Sequence, residues 1–289
     1  MSASLVGSEM CIRDSGYTGQ DGLIGGSDVS YYKRYNFRVN SEHKMWNGLV
    51  TVGEHVGFVW KDTRGMGTGN IWNNNLRSAF SASPIIPVYD ADGNYNSTVN
   101  SDWNVNDGNP YGNMMVNRYN NSKNGSLDAN VYVQIEPIKN LRFKTVYGIS
   151  YGASEYRAYT PKYQFTPQTA NTVSKVNQSH GHGLSMVWTN TLSYDFNIAT
   201  EHHINALIGS ELSTYDGSNT EGSNTGLIPG FDDWDHAYLV NTNGTENKTV
   251  KGSPYDSTRG MSYFARLGWT WKERYMAVSY THLTLPTIA

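Results

Sequence analysis

The sequence predicts an all-β chain, an antiparallel up-and-down meander forming an arc of a large transmembrane outer-membrane β-barrel. Three observations predict it: strict two-residue alternation of apolar and polar side chains, unusually long alternating runs, and connections that alternate short and long. Composition agrees. Only 38% of the 289 residues are hydrophobic and 16% charged, while 29 Gly and 21 Tyr stand out. Aromatics at 13% exclude a disordered chain, and Tyr, Asn, Gly and Thr suit strands joined by polar turns. No long window shows helical periodicity.

The alternation places whole sets of side chains on single faces, because a strand repeats every two residues. In 31–40, Tyr31, Tyr35, Phe37 and Val39 alternate with Tyr32, Arg34, Asn36, Arg38 and Asn40. In 126–136, Leu127, Ala129, Val131, Val133 and Ile135 form the apolar set. In 184–196 it is Leu184, Met186, Trp188, Leu192, Tyr194 and Phe196, and in 261–271 Met261, Tyr263, Ala265, Leu267, Trp269 and Trp271. Segments 49–60, 140–152 and 202–214 follow the rule less cleanly. Glu54 breaks it, sharing parity with Val50, Val52, Val56, Phe58 and Trp60, which implies a nearby interface, a neighbouring strand or a local bulge.

These runs reach the roughly 9–11 residues that a tilted membrane-spanning strand needs, whereas soluble strands peak near five or six. Short turns fall at about 41–48, 137–140, 197–201 and 272–274, and long loops at about 61–125, 153–183 and 215–258. Outer-membrane barrels have this rhythm, with short periplasmic turns and long extracellular loops. Seven complete strands with partial ones at each end make an arc, since barrel diameter grows with strand number. Trp46, Phe143, Tyr194, Phe196, Trp269, Trp271 and Tyr275 cluster near the short turns and read as an aromatic girdle at the periplasmic interface.

Both ends read as non-native. Segment 1–15 (MSASLVGSEMCIRDS) lacks the basic and apolar regions of a signal peptide, and 278–289 ends in THLTLPTIA. Both resemble translated adapter sequence, and the reading above rests on 16–277. Cys11, the sole cysteine, lies in the first of these segments, so no disulfide, thiolate metal site or cysteine nucleophile is expected. A net charge of −3 with a pI near 6.2 gives no electrostatic case for nucleic acid. No apolar run approaches the roughly 20 residues of a membrane helix, which leaves barrel strands untouched.

Polar motifs in the loops have plain structural readings. Asp90-Ala-Asp92-Gly93-Asn94 reads as a turn rather than a calcium loop, which would need Gly at Tyr95 and Glu at Ser101. His180 and His182 sit at a loop edge without a nearby carboxylate, and His202 and His203 point to opposite faces. Asn243 and Asn247 carry chance sequons. No metal, cofactor or catalytic residue is expected. In 231–235, Trp234 sits among Asp232, Asp233 and Asp235. Aromatic rings stack on sugars while carboxylates accept hydroxyl protons, so Trp234, Asp235, Tyr238, Trp72, Trp103 and Tyr111 are candidate ligand contacts. The plainer reading of each, a solvated or partner-facing loop residue, ranks ahead of ligand contact.

Five longer phrases stand out: GYTGQDGLIGGSDVSYYKRYNFRVN at 16–40, VTVGEHVGF at 50–58, SPIIPVYDADGNY at 83–95, SLDANVYVQIEPIKNLRFKTVYGISY at 126–151 and SYFARLGWTWKERYMA at 262–277. Together they resemble the SusC/RagA family of TonB-dependent outer-membrane transporters. The resemblance implies a barrel of about 22 strands with a plugged lumen. It implies import of oligosaccharides or peptides across the outer membrane of a Bacteroidota-type bacterium, with a SusD-like lipoprotein over the mouth and TonB supplying energy. Neither plug nor TonB box is recognisable, so the chain is not expected to transport alone. The alternatives are a secreted carbohydrate-binding β-sandwich, which would bury Leu127, Val131, Trp188 and Leu267 between two sheets, and a porin- or adhesin-type barrel.

Overall fold

The computed structural model describes residues 9–66, 74–80, 82–102, 108–199 and 201–286. One antiparallel sheet dominates. Its strands are β1 (Glu9–Asp21), β2 (Tyr31–Met45), β3 (Val50–Arg64), β4 (Asn120–Ile138), β5 (Leu141–Thr160), β8 (Lys175–Ile198), β9 (His202–Thr225), β10 (Thr249–Trp271) and β11 (Tyr275–Pro286). A two-residue hairpin, β6 (Tyr163–Gln164) with β7 (Ala170–Asn171), forms in the loop between β5 and β8. Among the described residues each main strand pairs with its neighbours in sequence, and the nine-stranded sheet stays open, with β1 and β11 at its edges. The segments at either end that resemble adapter sequence contribute to these two edge strands.

Pairing brings the apolar sets into register on one face. Phe58 lies opposite Phe37 and Leu127, and the row continues through Tyr151 to Leu184. A second row runs Val131, Tyr147, Trp188, Leu212, Met261. Val131, Trp188 and Leu267 are 48%, 46% and 53% exposed, so no second sheet covers them and the sandwich alternative falls. Glu54 sits on this face in unbroken β2–β3 and β3–β4 pairing, which removes the bulge explanation. Its carboxylate instead accepts a hydrogen bond from Ser41 on the neighbouring strand at 3.1 Å.

The strands outrun the expected lengths. β8 and β9 have 24 residues each and β10 has 23, so the long connections shrink to about 65–119, 161–174 and 226–248. Pairing persists into polar stretches such as 213–225 because the backbone ladder needs no apolar side chains. His180 and His182 accordingly lie within β8, not at a loop edge, where they face Glu155 and Ala153. The first long loop also carries two short helices, α2 (Asn75–Phe80) and α3 (Pro110–Val116), after a one-turn α1 (Gly26–Val29) between β1 and β2.

At the other end the turns are tight and left-handed. Trp46, Asn47 and Gly48 have φ of 51°, 57° and 88°, and Lys272 and Glu273 have 52° and 53°. Two successive positive φ values give the twist that joins antiparallel strands, at a steric cost that Gly and Asn escape.

Candidate functional site

Two regions gather the residues singled out by the sequence. The first is the apolar face near the short turns. Phe143, Tyr194, Phe196, Trp269, Trp271 and Tyr275 share that face, while Trp46, 70% exposed, projects from its turn. Tyr194 and Phe196 stack at 4.9 Å and Trp271 and Tyr275 at 5.5 Å. His202 stacks against Trp269 and Trp271 and accepts a hydrogen bond from the Trp269 indole at 3.0 Å. The Trp271 indole donates to Glu201 in the turn at 3.3 Å. Each indole thus has a wide apolar body on the sheet and a polar tip held by groups at the turn end, the arrangement that suits a ring at a membrane–water boundary.

The second region is the long-loop end. Asn109 caps α3, accepting from the Gly112 amide at 2.8 Å while its own amide donates to the Val88 carbonyl at 2.7 Å. This cap holds the helix against 88–96 and fixes Tyr111 in edge contact with Tyr89 and Tyr95. Tyr89 and Tyr95 stack across the turn expected at 90–94, where Asp90 accepts from the amides of Asp92 and Asn94 and Gly93 takes φ of 83°. The carboxylate is used by the turn. Tyr95 also meets Phe165, which stacks on Tyr163 at 5.0 Å.

The loop after β9 folds down onto this assembly. Tyr159, Val176, Leu227 and Ala237 form a small buried cluster, with Tyr119, Trp234 and Leu239 packed around it. Tyr159 donates to Asp232, and burial beside that carboxylate pushes the phenol's pKa well up. The Arg157 guanidinium lies 3.9 Å from the centre of the Trp234 ring and 4.2 Å from that of Tyr238, and it donates to the Trp234 carbonyl. Tyr119 stacks near Trp234 at 6.1 Å. Trp234 is therefore an anchor of the loop, with protein groups packed against its ring. His236 hydrogen-bonds Asp233 and holds that carboxyl below its usual pKa.

Between these parts lies a cleft of about 740 Å³, walled by Tyr89, Tyr95, Tyr119, Tyr163 and Trp234, with Asp232, Asp233, Asp235 and Lys162 at its edges. The structure thus brings Trp234 and Asp235 together with the aromatic group around Tyr111. Tyr238 sits beside the cleft on Arg157, and Trp72 and Trp103 lie outside the described residues. Sequence reasoning missed Arg157 and Tyr159 on β5 and Tyr119 just before β4, which position the loop from far away in the chain. No local pattern marks a partner 77 residues distant. Among the described residues no three His, Cys, Asp or Glu side chains are grouped to hold a metal ion, and no helix is long and apolar enough to cross a membrane.

No family model matches the sequence, and no curated protein matches it. Solved structures do. The RagAB peptide transporter matches with a TM-score of 0.71 at 18% identity over 92% of this chain. The fold is that of a RagAB barrel wall. The RagAB peptide importer in its closed-closed and open-open states gives TM-scores of 0.73 at 17% identity over 96% and 95% of the chain. The chain spans only 29–31% of the length of these transporter chains. At such identity the likeness is one of architecture: a partial, unclosed RagAB-type wall, consistent with the family phrases at 16–40 and 126–151.

Proposed function

We propose that 16–277 is wall from a TonB-dependent outer-membrane transporter that imports large nutrients, oligosaccharides or peptides, beneath a SusD-like lipoprotein. The observation that carries this is the exposed apolar face, kept in one register across the sheet, on a chain whose fold matches RagAB. An apolar surface of that extent is costly in water and stabilised in hydrocarbon. The aromatic residues at the short turns are its periplasmic girdle, and the cleft at the long-loop end faces the outside, where Asp235, Tyr111 and Tyr238 contact substrate or the lipoprotein. The part has no catalytic role, and neither a cofactor nor a metal enters its work.

The test has two stages. The chain refolded with phospholipid vesicles should protect β2–β5 and β8–β10 from protease while the long loops are cut. Cleavage throughout the strands would sink the wall reading. The uninterrupted reading frame surrounding 16–277, expressed in a Gram-negative host, should then support uptake of labelled oligosaccharides or peptides only when TonB is present. Uptake unchanged without TonB would favour a porin.

A further inference from the structure

We infer that the polar face of β2 and β3 carries an anion-binding groove, built on Arg34 and Arg38 with Lys61 next to it across from Arg34, that takes a carboxylate- or sulfate-bearing solute. The inference rests on the wall reading above, since it needs this face to line the lumen. Arg34, Asn36, Arg38 and Asn40 alternate with the apolar set of β2 and so project from the opposite face. Arg34 lies directly across from Lys61 in the β2–β3 register. Like charges placed opposite each other in a sheet destabilise it, and an anion seated between them reverses the sign.

Some other cations along the strands and turns do have carboxylate partners. Arg142 pairs with Glu136 and Asp195, Lys44 with Glu42, Arg259 with Asp216 and Lys272 with Glu201. Among the described residues no carboxylate reaches ion-pair distance of Arg34, Arg38 or Lys61. Asp14 stands opposite Arg38 in register without pairing to it, and Asp128, which borders the groove, accepts from Ser150 at 2.6 Å.

The space is shaped for a ligand. Gly57 lies opposite Arg38, and even an added Cβ there would meet only the Asp128 carbonyl at 3.8 Å. The resulting groove of about 260 Å³ is bordered by Arg34, Asn36, Arg38, Asn40, His55 and Asn130. His55 is held by Asn40 at 3.0 Å. Guanidinium groups offer fixed, always-charged donor forks that match carboxylate and sulfate oxygens, and the amides beside them can take the hydroxyls of the sugar or the peptide groups that carry the anion. Because Arg34 lies near the long-loop end of β2, the groove would be met soon after a solute enters the mouth.

The probes are tetragalacturonate, tetraglutamate and, as the neutral control, maltotetraose, each titrated into the full chain refolded in detergent micelles. Both anionic probes should bind, the neutral one should not, and raising salt should weaken binding. The double substitution Arg34→Gln, Lys61→Gln should weaken tetragalacturonate binding at least tenfold, while Lys272→Gln, at a turn, leaves it unchanged. Removing the opposed charges should leave the ligand-free melting temperature equal or higher, so a folding defect would not mimic the result. Equal binding of anionic and neutral probes, or an unaltered double variant, would overturn the proposal. Binding that appears in the chain but vanishes in the uninterrupted transporter would also overturn it, because the groove would then belong to the transporter's own lumen-filling polypeptide. None of these outcomes touches vesicle protection of the strands, which tests the wall itself.

Discussion

The middle of the sheet and its long-loop end use the hydrophobic effect in opposite ways. In the middle, Phe58, Val131, Tyr147, Trp188 and Leu212 lie in register and stay exposed. At the loop end, Tyr159, Val176, Leu227 and Ala237 are buried together although they come from three separate parts of the chain. The loop end makes its own core, whereas the middle leaves its apolar face uncovered, as the proposed membrane wall requires. The same forces are present in both places, and the surroundings decide which side chains a strand can leave uncovered.

The largest test of that contrast is at the loop end. Tyr159→Ala removes a buried ring and should cost about 3–5 kcal/mol locally, freeing the 226–248 loop. Limited proteolysis should then cut there first, with the mid-sheet strands still protected by lipid.

Leu212→Arg addresses the middle, since the side chains opposite it, Trp188 and Met261, are apolar. At this outward position it should cost about 2–4 kcal/mol of stability in vesicles, while Ser126→Arg on the polar face should change it by no more than about 0.5 kcal/mol. Equal effects in a denaturant titration would mean that the two faces do not differ in surroundings.

Tyr159→Phe is milder, losing only the bonds to Asp232, and should cost about 1–2 kcal/mol. The same bond has a pH signature. The folded pKa of Tyr159 is raised above the ordinary value of 10.0, so its contribution is complete below that pH and fades as pH rises towards the elevated folded value. Loop protection, read by the same proteolysis, should weaken on the alkaline side in the wild type and not in the Phe variant.

The smallest expected effect lies at the turn end. Replacing Lys272-Glu273 by Asn-Gly relieves two positive-φ residues and should stabilise the β10–β11 hairpin by about 1 kcal/mol, seen as a higher denaturation midpoint.

The sequence revealed the middle of the sheet better than its ends, for a physical reason. Where one face meets lipid and the other water, alternation is compulsory, and Leu127, Val131 and Trp188 declared their face without any structure. Beyond the membrane both faces of a strand meet polar surroundings. The stretch STYDGSNTEGSNT at 213–225 therefore carries no alternation, although it continues β9 to Thr225. The loop assembly was legible in parts. The Asp90 turn followed from its residues, and Trp234 and Tyr111 stood out by composition. That Arg157 would lie against Trp234 did not, because the contact depends on the path of the whole 226–248 loop. The groove at Arg34 and Lys61 was equally hidden, since only the β2–β3 register shows the two charges to be opposite.

The neighbour-to-neighbour order of the sheet bears on how it could be built. Every strand from β1 to β5 and from β8 to β11 finds its partners immediately before and after it in the chain. Such a sheet has few distant pairings to wait for, and it can grow by one hairpin at a time from an exposed edge, each addition presenting the template for the next. The tight turns at 46–48 and 272–273 bring their strands together at little entropic cost, so the toll of closure falls on the long connections at about 65–119, 161–174 and 226–248.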